Sequence, residues 1–339
     1  MTHARDTVIG VLGAGTMGSG IAQVAAAAGH AVVLADTRQE ALDRARKELV
    51  KSLVREVEKQ RLTAQAAADI ESRVYFSTAS EGIAALPGCG LVIEAIVEDL
   101  AIKRESFRRI EPVVGDAALL ATNTSSLSVT AIAAACTHPE RVLGIHFFNP
   151  APVMPLVEVV PGLATSRETM AAARGLLGGW GKTTVEASDT PGFIVNRIAR
   201  PFYGEALRIY EEGIADRPTI DWAMRAAGGF RMGPFELMDL IGNDVNLAVT
   251  QAIFEAFGYD SRYRPSVTQR RLVEAGLLGK KTGRGHYDYR PGAGNPEPTQ
   301  DRDLADAIVP RILALLINAA VDALFWRVAS RDDIDLAMT

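Results

Sequence analysis

The chain has 339 residues, of which 48% are hydrophobic and 23% are charged, and this composition is typical of a soluble globular protein. Because that length exceeds what one hydrophobic core usually holds, we expect two domains. The net charge of -5 argues against nucleic acid as the main partner, since phosphate binding requires a basic surface.

Three further features bear on the setting of the protein. Cys89 and Cys136 lie far apart without metal-ligand spacing, which predicts no metal site and favours a reduced, cytoplasmic location. The first seven residues are polar and predict no signal peptide. No apolar run reaches about 18 residues, so we predict no membrane span.

The first element along the chain is a strand, turn, helix and strand over residues 8–36, with glycines at three positions of the turn. Gly13 suits the tight turn, Gly15 lets the backbone approach a pyrophosphate, and Gly18 lets the helix pack close to the strand. This spacing predicts a dinucleotide-binding unit.

The same unit indicates which dinucleotide is bound. Thr16 and Met17 begin the helix, whose unpaired N–H groups and positive dipole end suit phosphates. Asp36 ends the second strand, where it can accept both ribose hydroxyls and would repel a 2′-phosphate. We therefore predict NAD rather than NADP, although Arg38 weakens that preference.

A long helical stretch follows at about 39–71, where a dinucleotide fold normally makes a short crossover. Lys51, Arg55 and Lys59 recur at i, i+4 and i+8, so they share a face, and Ser52 lies one heptad before Lys59. Such a face is either solvated or a cradle for an anionic substrate.

Short strands then alternate with helices, a pattern that predicts a parallel, doubly wound sheet. Ligands bind beyond the carboxyl ends of such strands, and polar residues collect there, with Glu98 and Lys103 after one strand and residues 123–126 after the next. The predicted strands are 74–76, 91–95, 119–123 and 142–148, and the predicted helices are 80–86, 100–113 and 129–135.

The run 146–158 is the best candidate for the chemistry. His146 ends a strand, three prolines break the chain, and a returning strand over 156–160 carries Glu158. A carboxylate that pairs with a histidine fixes its tautomer and makes it a better general base for an alcohol. The alternative is a histidine that is merely hydrogen-bonded in the core.

The second half of the chain is predicted to be helical. A last strand at 183–187 precedes the break at Asp189-Thr-Pro-Gly-Phe193, and helices are predicted at 194–210, 219–226 and 234–257. Their apolar faces suit a core or a subunit interface. A linker follows at 290–298.

The tail contains a repeat. Residues 311–338 align without gaps on 197–224 at an offset of 114, and both segments end in R-x-x-I-D-x-A-M. The tail is therefore predicted to begin a second copy of the helical domain, either truncated or completed by another subunit. Chance similarity between two amphipathic helices is the alternative.

Six motifs, in one order over about residues 7–289, resemble those of the L-3-hydroxyacyl-CoA dehydrogenases. They are Gly13-Ala-Gly-Thr-Met-Gly18, Asn123-Thr-Ser-Ser-Leu127, His146-Phe-Phe-Asn-Pro-Ala-Pro-Val-Met154, Asp189-Thr-Pro-Gly-Phe-Ile-Val-Asn-Arg197, Met232-Gly-Pro-Phe-Glu-Leu237 and Gly279-Lys-Lys-Thr-Gly283.

The resemblance implies roles for individual residues. His146 would be the catalytic base and Glu158 its partner, Ser125 would sit between substrate hydroxyl and imidazole, and Asn196 would orient the histidine and the substrate carbonyl. Further NAD contacts are implied at Glu98, Lys103, Ser125, Asn149 and Lys281, and coenzyme A contacts at Ser52, Lys59 and Ser125.

The predicted fold is α/β plus all-α. A Rossmann-like domain (1–188) with a helical insertion precedes a helical domain (189–290) used for substrate and dimerisation, a linker (291–300) and the second copy (301–339). The predicted reaction is NAD-dependent oxidation of an L-3-hydroxyacyl-CoA by a cytoplasmic homodimer. The acyl group is 3-hydroxyadipyl, as in family members of aromatic-acid degradation with two helical copies, or 3-hydroxybutyryl.

Two other functions fit the sequence less well. A non-catalytic NAD-binding protein would not require Ser125, His146, Glu158 and Asn196 together. A β-hydroxyacid dehydrogenase with a lysine base lacks support, because Lys182 precedes a strand and does not lie on the helix after the linker.

Overall fold

The structure, a computed structural model, describes residues 6–78 and 86–339. The chain divides into two compact units, one that joins the residues up to Phe193 with Ala329–Thr339, and one that spans Ile194–Val328. The predicted boundaries lay at residues 188, 290 and 300. The observed division thus keeps most of the tail with the helical unit.

The first unit is built on one sheet of eight strands in the order β3-β2-β1-β4-β5-β6-β7-β8. Every pairing is parallel except that of β6 with β7, which is antiparallel. This confirms the predicted doubly wound sheet. The strands are β1 (Val8–Leu12), β2 (Val32–Asp36), β3 (Val74–Thr78), β4 (Cys89–Glu94), β5 (Leu119–Thr122), β6 (Val142–Phe147), β7 (Leu156–Pro161) and β8 (Thr183–Glu186).

Helices cover both faces of the sheet, which is why its central strands are continuous apolar runs. One core contains Ile9, Leu34 and Ile145, and the other contains Phe107 and Leu120. The predicted helix at 80–86 lies almost wholly outside the described residues. The helices are α1 (Thr16–Ala27), α2 (Gln39–Glu58), α3 (Ala64–Ser72), α4 (Leu100–Ile110), α5 (Val129–Ala133) and α6 (Arg167–Gly179).

The stretch between β2 and β3 forms two helices, α2 and α3, and not one continuing helix. The backbone turns at Gln60, whose φ of 57° lies in the left-handed region. Helix α2 buries Leu42, Leu49 and Leu53 against the sheet and leaves its charged face to solvent. The stretch is therefore anchored on its apolar side.

The second unit is helical, as predicted, but two details differ. The predicted helix 234–257 is divided at Gly242, which has a φ of 104°. A helix at 267–274 was not predicted. The helices are α7 (Val195–Glu211), α8 (Arg217–Ala226), α9 (Pro234–Ile241), α10 (Asn243–Ala256), α11 (Val267–Glu274) and α12 (Arg302–Phe325), and α13 (Arg331–Met338) groups with the first unit.

The turn between the two tail helices lies where the aligned segment has the turn between α7 and α8. Helix α12 ends at Phe325, which corresponds to the end of α7 at Glu211, and α13 begins at Arg331, which corresponds to the start of α8 at Arg217. The origin of the tail as a second domain copy stays a prediction, and this agreement in secondary structure supports it.

Helix α12 packs on the helical unit. Ile308 and Ile312 are buried in one core with residues of α7, α8 and α9. Its Arg311 donates to Glu205 at 2.5 Å and to Glu212 at 2.7 Å. The apolar and charged contacts together hold α12 to the helices before it in the chain.

The sequence predicts no membrane span because no apolar run reaches about 18 residues, and this stays a prediction. Among the described residues, the helix Arg302–Phe325 is long and apolar enough to cross a membrane, with a mean hydropathy of 1.9 over 18 residues, of which 28% are buried. A core helix of a soluble protein meets the same criterion. The length and composition of one helix therefore establish no span.

Two isoleucines of α12 test whether this helix belongs to the folded core. Ile312 is fully buried, whereas Ile317 is 60% exposed. Ile312→Ala should lower the free energy of unfolding by about 2–5 kcal/mol through lost burial and a cavity. Chemical denaturation measures the loss, and Ile317→Ala on the same helix is the control. Equal losses for the two variants would contradict the packing of α12.

Candidate active site

The glycine-rich turn has the geometry that its sequence predicts. Gly13 has a φ of 96°, and a Cβ there would lie 2.5 Å from the carbonyl oxygen of Ala95. A Cβ on Gly18 would lie 1.8 Å from the carbonyl oxygen of Gly13, so only glycine allows this contact between helix and turn. A Cβ on Gly15 would meet nothing within 4 Å, which leaves space for a ligand.

Asp36 ties the end of β2 to this turn. Its carboxylate accepts the Ala14 N–H at 2.8 Å and the Arg38 N–H at 2.9 Å. Helix α1 begins beside it at Thr16, and no side chain caps the helix at Gly15. A dinucleotide with a free ribose diol fits this arrangement. The helix N-terminus and the open space beside Gly15 suit its phosphates, and the Asp36 carboxylate suits its ribose hydroxyls.

The loop after β5 carries Ser125 and is gathered around one carboxylate. Glu98 accepts the Thr124 hydroxyl at 2.6 Å and the Ser125 N–H at 3.0 Å. Partial burial would raise the pKa of Glu98, but the Lys103 charge and these donors lower it below its ordinary value. This carboxyl is therefore an anion at neutral pH.

Lys103 is buried in the same region. Its ammonium donates to Glu94 at 2.6 Å and lies 3.3 Å from Glu98, and the Lys103 and Glu94 side chains are each 1% exposed. The predicted contact of Lys103 with NAD stays a prediction. The structure assigns the lysine two carboxylate partners within the protein.

The antiparallel pairing of β6 and β7 places His146 directly opposite Glu158. The imidazole Nδ1 and the Glu158 Oε2 are 2.6 Å apart, and both side chains are buried. An ionised carboxylate only accepts hydrogen bonds, so beside an ionised Glu158 the Nδ1 atom would carry the proton and Nε2 would keep its lone pair. The rings of Phe148 and Phe193 lie beside the imidazole.

Two side chains to which the sequence analysis gave no positioning role hold the segment after His146. Lys182 donates to the carbonyls of Ala151 and Met154 at 2.6 and 2.7 Å, which ties down the proline-rich turn. Asn123 accepts the Phe147 N–H at 2.9 Å. Asn123 lies in the quoted Asn-Thr-Ser-Ser-Leu motif, whereas nothing in the sequence points to these contacts of Lys182.

The predicted coenzyme A contacts Ser52 and Lys59 lie on α2 and at its C-terminal end. Ser52 accepts a hydrogen bond from Gln23 at 3.1 Å. Lys59 is 57% exposed and lies 3.7 Å from Glu56. The basic face therefore carries acidic neighbours, and its contact with coenzyme A stays a prediction, as does the contact of the exposed Asn149 with NAD.

Two predicted site residues belong to the helical unit. Asn196 lies in the first turn of α7, where its side-chain oxygen is 3.5 Å from Arg200 Nη2. Lys281 lies 2.6 Å from Asp244. Their predicted roles towards substrate and NAD stay predictions.

The described residues contain no group of three or more histidine, cysteine or acidic side chains placed to hold a metal ion. Both cysteines are free. Burial raises the pKa of the Cys89 thiol to about 11 and, together with the charge of Glu111, that of Cys136 to about 12, so neither is a reactive thiolate at neutral pH.

Two family profiles match the chain. The 3-hydroxyacyl-CoA dehydrogenase NAD binding domain matches residues 8–190, and the C-terminal domain of the same family matches residues 192–289. The chain belongs to the 3-hydroxyacyl-CoA dehydrogenase family. The predicted recognition, the NAD cofactor and the enzyme class are thereby confirmed, and a non-catalytic NAD-binding protein is disfavoured.

Individual members of the family are similar over most of the chain. The 3-hydroxyadipyl-CoA dehydrogenase of Escherichia coli K12 is 50% identical over 282 residues, which are 83% of this chain but 59% of that longer relative. The 3-hydroxybutyryl-CoA dehydrogenase of Bradyrhizobium diazoefficiens is 43% identical over 86% of this chain and 98% of its own length. The crystal structure of a 3-hydroxybutyryl-CoA dehydrogenase from Escherichia coli K12 superimposes with a TM-score of 0.90 at 38% identity, covering 98% of this chain and 88% of that one.

Asp36 should decide which dinucleotide this family member uses. Asp36→Ala removes the ribose acceptor and the charge that repels a 2′-phosphate, so NAD should bind more weakly and NADP better relative to it. The ratio of kcat/KM for the two cofactors measures this change. Asp43→Ala, which removes an exposed charge from α2, is the control and should leave the ratio unchanged. A wild-type protein that uses both cofactors equally would contradict the assignment.

Proposed function

We propose that the chain oxidises the 3-hydroxyl group of an L-3-hydroxyacyl-CoA, reversibly, with His146 as the general base. The observation that carries this proposal is the 2.6 Å hydrogen bond between His146 Nδ1 and the buried Glu158. It leaves Nε2 able to take the hydroxyl proton. NAD, when bound, accepts the hydride from C3 of the substrate.

Glu158 stabilises the product of that proton transfer. When His146 takes the proton it becomes an imidazolium, and the adjacent carboxylate offsets the charge in a region where water is excluded. The rings of Phe148 and Phe193 flank the imidazole and restrict its rotation. In the reverse direction the same imidazolium returns the proton to the substrate oxygen.

We propose further roles for Ser125 and Asn196. A serine hydroxyl can accept from the substrate hydroxyl and donate to the imidazole, which suits a position between the two. An asparagine amide can donate to the substrate carbonyl. Both roles rest on the family motifs in which these residues lie.

Removing the base should affect turnover and spare cofactor binding. His146→Gln should lower kcat by at least about 100-fold, since loss of a general base costs about 10²–10⁴, and leave the Kd for NADH nearly unchanged. His138→Gln is the matched control, because His138 also pairs with a glutamate, at 3.2 Å, but is exposed. A His146→Gln variant that retains a tenth of wild-type kcat would exclude the base.

For the acyl group, we propose one with a distal carboxylate. The Escherichia coli relative named for 3-hydroxyadipyl-CoA is 50% identical, against 43% for the Bradyrhizobium diazoefficiens relative named for 3-hydroxybutyryl-CoA. A hydrogen bond to a charged group is worth about 1.5–3 kcal/mol, so kcat/KM should be about tenfold or more higher for 3-hydroxyadipyl-CoA. Equal values would exclude a favourable contact with the distal carboxylate, and a preference for 3-hydroxybutyryl-CoA would assign the shorter substrate.

For coenzyme A, we propose that its phosphates meet Lys59, with Ser52 on the same helical stretch. A charge contact made equally to substrate and transition state raises KM when it is lost and spares kcat. Lys59→Ala should therefore raise KM for the acyl-CoA several-fold, and less so at high salt, where exposed charges are screened. Steady-state kinetics with acyl-CoA and with acyl-pantetheine, which lacks the nucleotide phosphates, measure the effect.

The control for Lys59 is Arg108→Ala, which removes another exposed cation that is paired with a glutamate three residues before it. Only Lys59→Ala should change KM, and only for the full acyl-CoA. An unchanged KM at low salt would mean that the face is merely solvated. An equal rise for acyl-pantetheine would mean that Lys59 acts through the position of the stretch and not through its charge.

We also propose a homodimer formed through the helical unit, in a cytoplasmic setting without nucleic acid or membrane partners. Leu240, Ile241 and Val245 at the junction of α9 and α10 are large apolar side chains that are 40–52% exposed, and such clusters suit a subunit interface. Light scattering that returns the mass of a single chain would exclude the dimer.

A further inference from the structure

The carboxylate of Glu98 gathers three consecutive residues of the loop after β5. Its Oε1 accepts the Thr124 hydroxyl at 2.6 Å, the Ser125 N–H at 3.0 Å and the Ser126 hydroxyl at 3.1 Å. The Ser126 N–H lies at 3.2 Å from the same oxygen. The Glu98 carboxylate thus accepts hydrogen bonds from loop N–H groups that have no partner in a helix or a strand.

Glu98 is held in turn by a buried ion pair. Its other oxygen lies 3.3 Å from the Lys103 ammonium, which donates to Glu94 at 2.6 Å. Glu94 is fixed by the Thr122 hydroxyl at 2.8 Å and the Ile96 N–H at 2.7 Å. These contacts connect the ends of β4 and β5 to α4, so the position of Glu98 is set by the sheet.

The Ser125 hydroxyl is held less closely by Glu98 than the hydroxyls of Thr124 and Ser126. It lies 3.5 Å from Glu98 Oε1, at the limit of a hydrogen bond, while the Ser125 N–H is held at 3.0 Å. The backbone of Ser125 is therefore fixed and its hydroxyl is left available to another partner. That is the arrangement required of a residue that must bridge a substrate and a base.

We infer that Glu98 is a positioning residue for Ser125, and that the buried pair of Lys103 and Glu94 keeps Glu98 in place. This role differs from direct contact with NAD, which the sequence motifs imply for Glu98 and Lys103. The inference rests on the proposed function, because it requires Ser125 to act in the reaction. Beyond that function, the inference identifies the residues that hold Ser125 so that its hydroxyl is available to the substrate.

A double-mutant cycle with Glu98→Gln and Ser125→Ala tests the inference. Glu98→Gln should lower kcat roughly tenfold while KM for NAD and the Kd for NADH change less than about twofold, because misplacement of a reacting group costs turnover. In the Ser125→Ala background the same change should alter kcat less than about twofold, since residues that act through one another are not additive. Glu105→Gln, an exposed carboxylate on α4, is the control for charge.

Two outcomes would overturn the role of Glu98. Independent, multiplicative effects on kcat would show that Glu98 does not act through Ser125. A tenfold weaker Kd for NADH with unchanged kcat would make Glu98 a cofactor contact. If Ser125→Ala alone left kcat unchanged, the role of Ser125 in the proposed function would fail, and the inference with it, while the effect of His146→Gln would still report on the base.

Should Glu98→Gln not fold, as judged by circular dichroism, the cycle can be run with Ser126→Ala. That change removes one donor from Glu98 Oε1 and does not touch Ser125. Its effect on kcat should be smaller and should disappear in the Ser125→Ala background. An effect that persists there would overturn the inference.

Discussion

The antiparallel pairing of β6 with β7 is the constraint on which the candidate site depends. In a sheet that is otherwise parallel, it returns the chain beside the strand that carries His146 and sets Glu158 at the opposing register position. A shift by one residue would turn Glu158 to the other face of the sheet. Catalytic geometry is thus fixed by backbone hydrogen bonds and buried valines, and not by a flexible loop.

Buried charge is the second constraint. Lys103, Glu94 and Glu158 have almost no solvent contact, and an unpaired charge in such a place would be costly. Each is compensated by a partner on another element, so the charges also fix the relative positions of strand ends, α4 and the serine loop. These buried charges therefore specify the geometry of the candidate site.

The sequence predicted the parts of the site that short motifs of a few residues specify. The glycine spacing before Asp36 and the proline-broken return to Glu158 are of this kind, and both are found as predicted. The break at Gly242 and the helix 267–274 were missed although each has a local signal, the glycine itself and Ser266, whose hydroxyl caps the helix by accepting the Gln269 N–H. The burial of Lys103 has no local signal, because a lysine on a helix is solvated unless the sheet supplies carboxylates beside it.

Gly15 and Gly18 of the glycine-rich turn differ in what they contribute. Gly18 is required by the fold itself, because the helix and the turn touch there. Gly15 has ordinary extended backbone angles, φ -73° and ψ -175°, and open space beside it, so the folded chain gains nothing from its missing side chain. A glycine there carries a cost in conformational entropy that the close approach of a bound dinucleotide would offset. In its free form, the protein is therefore less stable at this position than its own fold would permit.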